Sequence, residues 1–151
     1  MDILQHVKEP QQIYKEVLRL RQQAADLRDR ATSTGSRRYG CKVQSTPDPD
    51  RMADLIAQAA DKDAQAEQTL DRFVEVRHKL INEILLLDDP RYIEVLCNIF
   101  VWGKTAADCT KIMYKMNGDN YTYEHVLRLR RQGLAALADV LATKDPDHVT
   151  T

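Results

Sequence analysis

Between Lys104 and Arg131 the chain carries Lys104, Lys111, Lys115, Arg128, Arg130 and Arg131 against Asp108, Asp119 and Glu124, a local balance of +3. Cations spaced like this suit a phosphate backbone, where each neutralised phosphate releases a condensed counterion. The stretch from Asp54 to Glu75 has the opposite sign. There Asp54, Asp61, Asp63, Glu67, Asp71 and Glu75 outweigh Lys62 and Arg72, a balance of -4. The whole chain sits at -1, so any nucleic-acid signature lies in the distribution and not in the sum. An acidic stretch of this kind favours a protein partner, and charges this modest also occur on ordinary solvated helix faces.

Other chemistry is poorly represented. His6, His78, His125 and His148 are dispersed, and none stands with a cysteine or a second histidine at ligand spacing, so no metal site is expected. Glu67, Asp71, Glu75 and Glu83 lie on one long helix, without the pair of Glu-x-x-His motifs on separate helices that a di-iron bundle uses. With no phosphate loop and no nucleophile elbow, neither an enzyme nor a cofactor is expected. Cys41, Cys97 and Cys109 form an odd set without C-x-x-C spacing, which points to a reducing, cytoplasmic compartment. Cys97 and Cys109 fall at apolar helical positions and read as buried; Cys41 reads as exposed in a loop. The N-terminus lacks the pattern of a signal peptide, and apolar runs such as Leu85 to Leu87 are too short to span a membrane.

The elements that would position the basic cluster are helical. Charged residues make up 30% of the chain and aromatics 6%, with five Gly and five Pro, and the dominant residue types lose least on entering a helix. The fold class read from this is all-α. Ile13, Val17, Leu20, Ala24, Leu27 and Ala31 recur at spacings of three and four, one face of a helix over about 10–31 with Pro10 in its first turn. A loop over 32–48 follows. Asp48 caps a second helix over 49–87, with Pro49 at its first position and a stripe from Met52 to Leu87. These form a long antiparallel helical hairpin, residues 1–88. The second helix is the longer, so its surplus stripe needs cover from the C-terminal unit or from a homodimer partner.

Asp89 and Pro90 open a third helix, Arg91 to Val101. Trp102-Gly103-Lys104 is a turn, and Thr105 caps a fourth helix to about Tyr114. Asn117-Gly118-Asp119-Asn120 is a turn signal, and Thr122 starts a fifth helix with Val126, Leu129, Gly133, Leu134 and Leu137 facing inward. Residues 89–143 thus make a trihelical unit, and 144–151 a flexible tail. By periodicity alone, three such helices also describe an ordinary bundle.

The residue types add to this. Tyr92, Leu96, Trp102-Gly103-Lys104-Thr105, Thr122-Tyr123-Glu124-His125-Val126 and Leu129 resemble the helix-turn-helix in the fourth region of sigma factors. The whole chain resembles small phage and prophage proteins related to late-gene transcriptional regulators of the RinA/ArpU type. That likeness runs through Ala31-Thr32-Ser33, Lys42-Val43-Gln44-Ser45 and Asp50-Arg51-Met52-Ala53-Asp54 to the end of the fifth helix. It rests on order and spacing and not on one motif. Two departures stand out. Cys109-Thr110 replaces the usual Ile-Ala of the scaffold helix, and the turn from Met113 to Thr122 is long enough to tilt the fifth helix.

The resemblance implies a regulator of late genes that binds double-stranded promoter DNA in the bacterial cytoplasm. It would place Tyr123, Glu124, Leu127 and Arg128 on the outward start of the fifth helix. Arg128 would read guanine bidentately and Glu124 would accept from cytosine N4. Lys104, Thr105, Arg130 and Arg131 would hold phosphates, and His125 could serve either role. The alternative is a protein-interaction or host-takeover module on the same fold. It would bind RNA polymerase or another host protein, or inhibit a host nuclease as anti-CRISPR proteins do. A helical assembly protein that binds no nucleic acid is a third reading.

Overall fold

Helices account for the secondary structure of the described residues, 2–33 and 48–144, in the computed structural model. α1 spans Ile3–Thr32 and α2 spans Pro49–Ile84. α3, Pro90–Leu96, passes directly into a π-helical turn over Cys97–Val101. α4 is Ala106–Ile112 and α5 is Tyr123–Lys144. No strand is present among the described residues, and no helix is long and apolar enough to cross a membrane.

The first helix starts earlier than its sequence suggests. The Asp2 carboxylate accepts from the Leu4 N–H at 3.0 Å, which caps the helix seven residues before Pro10. Pro10 therefore lies inside α1 and not in its first turn. An interior proline leaves a carbonyl one turn back without its donor, but Pro10 is fully buried, and that packing offsets the lost bond. The Asp48 cap forms as read, with its carboxylate accepting from the Asp50 N–H at 3.0 Å. The loop reading for 34–47, including Cys41, lies outside the described residues, as does the tail beyond Lys144.

The chain divides into two compact units whose boundaries fall inside α1 and α2. One unit is Ile13–Arg72. Its α1 face buries Ile13, Val17, Leu20, Ala24 and Ala31, and its α2 face buries Ala59 and Ala66. An ion pair from Arg28 to Asp63 joins the two helices there.

The other unit combines the chain up to Gln12 with the chain from Phe73 onward. Its first cluster packs Val7, Leu80, Ile84 and Leu87 against Leu96, Phe100, Val101 and Leu137. The end of α2 is thus covered by α3 and α5, one of the two covers that its surplus length called for. The His6 ring nitrogen lies 2.5 Å from the Glu83 carboxylate, a half-buried pairing of α1 with α2. A second cluster holds Val95, Cys109, Met113, Tyr121, Val126 and Leu129. Tyr92 and Ile99 touch both clusters, so α3 is shared between them.

α3 and α5 meet at Gly133. A Cβ built there would stand 3.3 Å from Leu96 Cδ1, Leu96 Cγ and Tyr92 Cβ, tighter than ordinary side-chain contact. Absence of a side chain is what allows this approach, although glycine costs a helix interior roughly 1 kcal/mol in intrinsic preference. Gly133→Leu should overfill the crossing and destabilise the protein by about 1–3 kcal/mol or more. Urea unfolding followed by circular dichroism would check this; an unchanged midpoint would mean the helices do not meet here.

Candidate nucleic-acid interface

Three local devices set the orientation of the basic segments. The first is the wide turn that ends α3. The Trp102 N–H donates to the Cys97 carbonyl five residues back at 3.0 Å, and the Lys104 N–H reaches the Asn98 carbonyl at 2.9 Å. Gly103 sits at φ +69°, a left-handed conformation that glycine adopts without penalty. Widening the turn leaves carbonyls at the helix end without their usual donors. The Gln11 side chain fills the gap from α1, its Nε2 donating to the Ile99 carbonyl at 2.7 Å and to Phe100 at 3.2 Å. Gln11 thereby anchors the turn that presents Lys104.

The second device is the cap of α4. The Thr105 Oγ1 accepts from the Asp108 N–H at 3.1 Å, and the Asp108 carboxylate accepts from the Thr105 N–H at 3.1 Å. That reciprocal pair satisfies two N–H groups at the helix start. The bond from the Thr105 backbone, then the one with its side chain, holds the Asp108 carboxyl below its ordinary range. α4 ends at Ile112, short of Tyr114, because Met113 turns extended at φ -97° and ψ 135°.

The third device is the connection from α4 to α5. Tyr114 bridges to Asn120, the Lys115 N–H donates to the Asp119 carbonyl at 2.7 Å, and the Gly118 N–H donates to the Lys115 carbonyl at 2.9 Å. Gly118 lies at φ +86°. This is a three-residue hairpin loop closed by a left-handed glycine. The extra residues that could have tilted α5 are folded back on themselves, and α4 still packs on α5 through Cys109, Met113, Val126 and Leu129. Thr122 caps α5, its Oγ1 accepting from the His125 N–H at 3.2 Å.

On α5, Val126, Leu129, Gly133 and Leu137 are buried. Tyr123, Glu124, Arg128 and Arg131 are exposed and Leu127 is half-buried. Their spacing of one and three residues keeps these five on the side away from the buried positions. Arg128 and Arg131 make no hydrogen bond or ion pair among the described residues, so their guanidinium groups are open to a ligand. Arg130 is half-buried and lies toward the packed side, which removes it from the face shared by Arg128 and Arg131. Lys104 and Thr105 are exposed, but they stand before α4 and not on α5.

His125 is the residue whose surroundings differ most from its sequence reading. Its ring meets Tyr121 edge-on, centroids 4.7 Å apart. Partial burial lowers its pKa below the ordinary value, and the charges of Arg128, Lys115 and Arg91 lower it further. Charges from three segments therefore act on one ring. Lys115 was visible only as part of the charge count and Arg91 not at all, because their effect on it depends on how α3, the hairpin and α5 pack. Arg91 is itself paired with Asp89 at 2.9 Å, whose carboxyl is held low by that contact.

Burial raises the pKa of both Cys97 and Cys109, which favours the unreactive thiol form. Cys109 is fully buried and Cys97 half-buried. The Thr110 hydroxyl donates to the Ala107 carbonyl at 2.6 Å, which gives this departure from the sigma pattern its partner. No group of three metal-binding side chains occurs among the described residues. No family model, curated protein or solved structure matches this chain.

Replacing Gln11 with Leu leaves the Ile99 and Phe100 carbonyls without their donor and should cost about 1–3 kcal/mol in urea unfolding. Exchange of the Trp102 and Lys104 amides should quicken in the same variant; unchanged exchange would show that the turn holds itself. For His125 the sign follows from proton uptake. The unfolded chain binds this proton near pH 6.5 and the folded chain only at lower pH, so acid favours unfolding. Between about pH 7.5 and about pH 5.5 the wild type should lose more stability than His125→Asn. Equal losses would mean that the ring is solvated normally.

Proposed function

We propose that the protein binds double-stranded DNA through the exposed face of α5 and regulates transcription from phage or prophage promoters. In this reading α3, α4 and α5 make a helix-turn-helix unit, in which α4 braces α5 as the helix that enters the major groove. α1 and α2 make an antiparallel helical hairpin that supports it. Within Ile13–Arg72 the Arg28 to Asp63 pair, which joins the end of α1 to α2, supports that hairpin.

One observation carries the DNA reading. Arg128 and Arg131, without a hydrogen-bond or ion-pair partner among the described residues, share a face with exposed Tyr123 and Glu124 and half-buried Leu127 at the start of a helix whose opposite side is packed. A long arginine held by its helix but unbonded at its tip is suited to a bidentate contact with guanine O6 and N7. Arg131, one turn further on, is placed for phosphate, as are Lys104 and Thr105 at the start of α4. The likeness to late-gene regulators supports a promoter as the target.

A second reading keeps the fold and changes the partner. The exposed carboxylates Asp54, Asp61, Glu67 and Asp71 on α2 favour a basic protein surface, such as one on RNA polymerase or on a host nuclease.

Two substitutions separate these readings. Arg128→Ala should lose roughly 1–3 kcal/mol on the preferred duplex and blur the preference at one base pair. Arg131→Ala should weaken all duplexes alike and make the log–log salt dependence shallower by about one unit. Fluorescence anisotropy across a salt series, with duplexes selected from a random pool, measures both. If both variants behave like the Arg131 case, the face is an electrostatic patch without base reading. If the wild type binds no duplex at low salt, the protein-partner reading takes its place.

A further inference from the structure

The hairpin between α4 and α5 holds a side chain that nothing in the fold uses. Met116, beside the glycine-closed tip, is 109% exposed, the most exposed of the large hydrophobic residues described. Its neighbours are fixed by internal bonds. The Asn117 Oδ1 accepts from the Asp119 N–H at 3.1 Å, and the Asn117 Nδ2 donates to the Asp119 carboxylate at 3.1 Å. The carboxylate at the tip is thereby engaged within the turn. Lys115 is held with its Nζ 5.7 Å from the centre of the Tyr121 ring.

Burying a methionine side chain is favourable, and the fold leaves that gain unrealised here. A braced turn that holds such a group in water is built to bury it elsewhere. The surroundings indicate where. Exposed Ile112, Tyr114 and Tyr123 lie on the two helix ends and the hairpin stem, and Lys111, Lys115 and Arg128 stand along the same segments. The rim is mixed, with Ile112, Tyr114 and Tyr123 standing among cations, which a wholly apolar protein pocket would not match. Cations around a projecting apolar group match a base step with phosphates on either side.

We propose that the hairpin is a wedge: Met116 enters a base step beside the site read by α5, partly unstacks it and kinks the duplex. Lys111 and Lys115 hold the flanking phosphates. Apolar wedges of this size bend DNA by about 20–90° when they enter the minor groove. Pyrimidine–purine steps yield most easily, so the wedge adds sequence preference at a position that makes no hydrogen bond to the protein. The inference rests on the reading of α5 as DNA-facing and assigns a second contact to that interface.

The test measures bending apart from affinity. Selected duplexes of about 30 base pairs, labelled at both ends, report a kink as a rise in energy transfer when the full chain is bound at saturation. The wild type should raise the transfer. Met116→Ala should bind about tenfold more weakly and leave the duplex near its free length. Met116→Leu, which stays apolar and similar in size, should keep the bend. Arg128→Ala should weaken binding but bend the duplex fully once saturated. A wild type that binds without bending, or Met116→Ala bending as the wild type does, would overturn the wedge and leave the α5 reading standing. Absence of binding to every duplex would overturn both and reassign Met116 to a protein groove. The substituted side chain touches water only, so circular dichroism should be unchanged in all Met116 variants.

Discussion

The close approach of α3 and α5 at Gly133 is the constraint on which the C-terminal architecture depends. Leu96 and Tyr92 occupy the space where a side chain at 133 would stand, so the two helices meet almost backbone to side chain. Two clusters lie on either side of that crossing and share Tyr92 and Ile99. One ties α5 to the ends of α1 and α2 through Leu137, Ile84 and Val7, and the other ties it to α4 through Leu129 and Cys109. With one side of α5 fixed this way, Tyr123, Arg128 and Arg131 have only the solvent side left. The exposure of the arginines is thus a consequence of packing.

Two irregularities absorb chain length without breaking this arrangement. A π-helical turn adds a residue to the end of α3, and its loosened carbonyls find the Gln11 amide instead of water. A hairpin takes up the long connection before α5 and returns the chain to the Thr122 cap. Both devices lie beside basic residues, Lys104 in one case and Lys115 in the other. Local departures of this kind in an otherwise regular helical unit tend to accompany function.

Much of the helical layout was legible in the sequence, because it follows from local rules. Asp48 and Asp89 before prolines, Thr105 with Asp108, and Thr122 before α5 are caps whose partners lie within a few residues. Three-and-four spacing named Val126, Leu129, Gly133 and Leu137 as the inward side of α5. What the sequence hid was set by distant partners. Pro10 read as a helix start until Asp2 proved to be the cap, and nothing local shows that Gln11 serves carbonyls 88 and 89 positions away. The site followed the same division. Arg128 and Arg131 emerge outward from periodicity, whereas Arg130 at half burial, His125 against Tyr121 and the exposed Met116 depend on packing that no spacing encodes.

DNA, as proposed, would meet the exposed side of α5 and the start of α4, while the acidic part of α2 takes no part. Amide chemical shifts of the isotopically labelled full chain, followed during titration with a selected duplex, test it residue by residue. The account predicts the largest changes at Lys104, Thr105, Tyr123, Leu127, Arg128 and Arg131, with the amides from Asp54 to Asp71 unmoved. Changes centred on Asp54 to Asp71, or a uniform absence of change at saturating duplex, would contradict it.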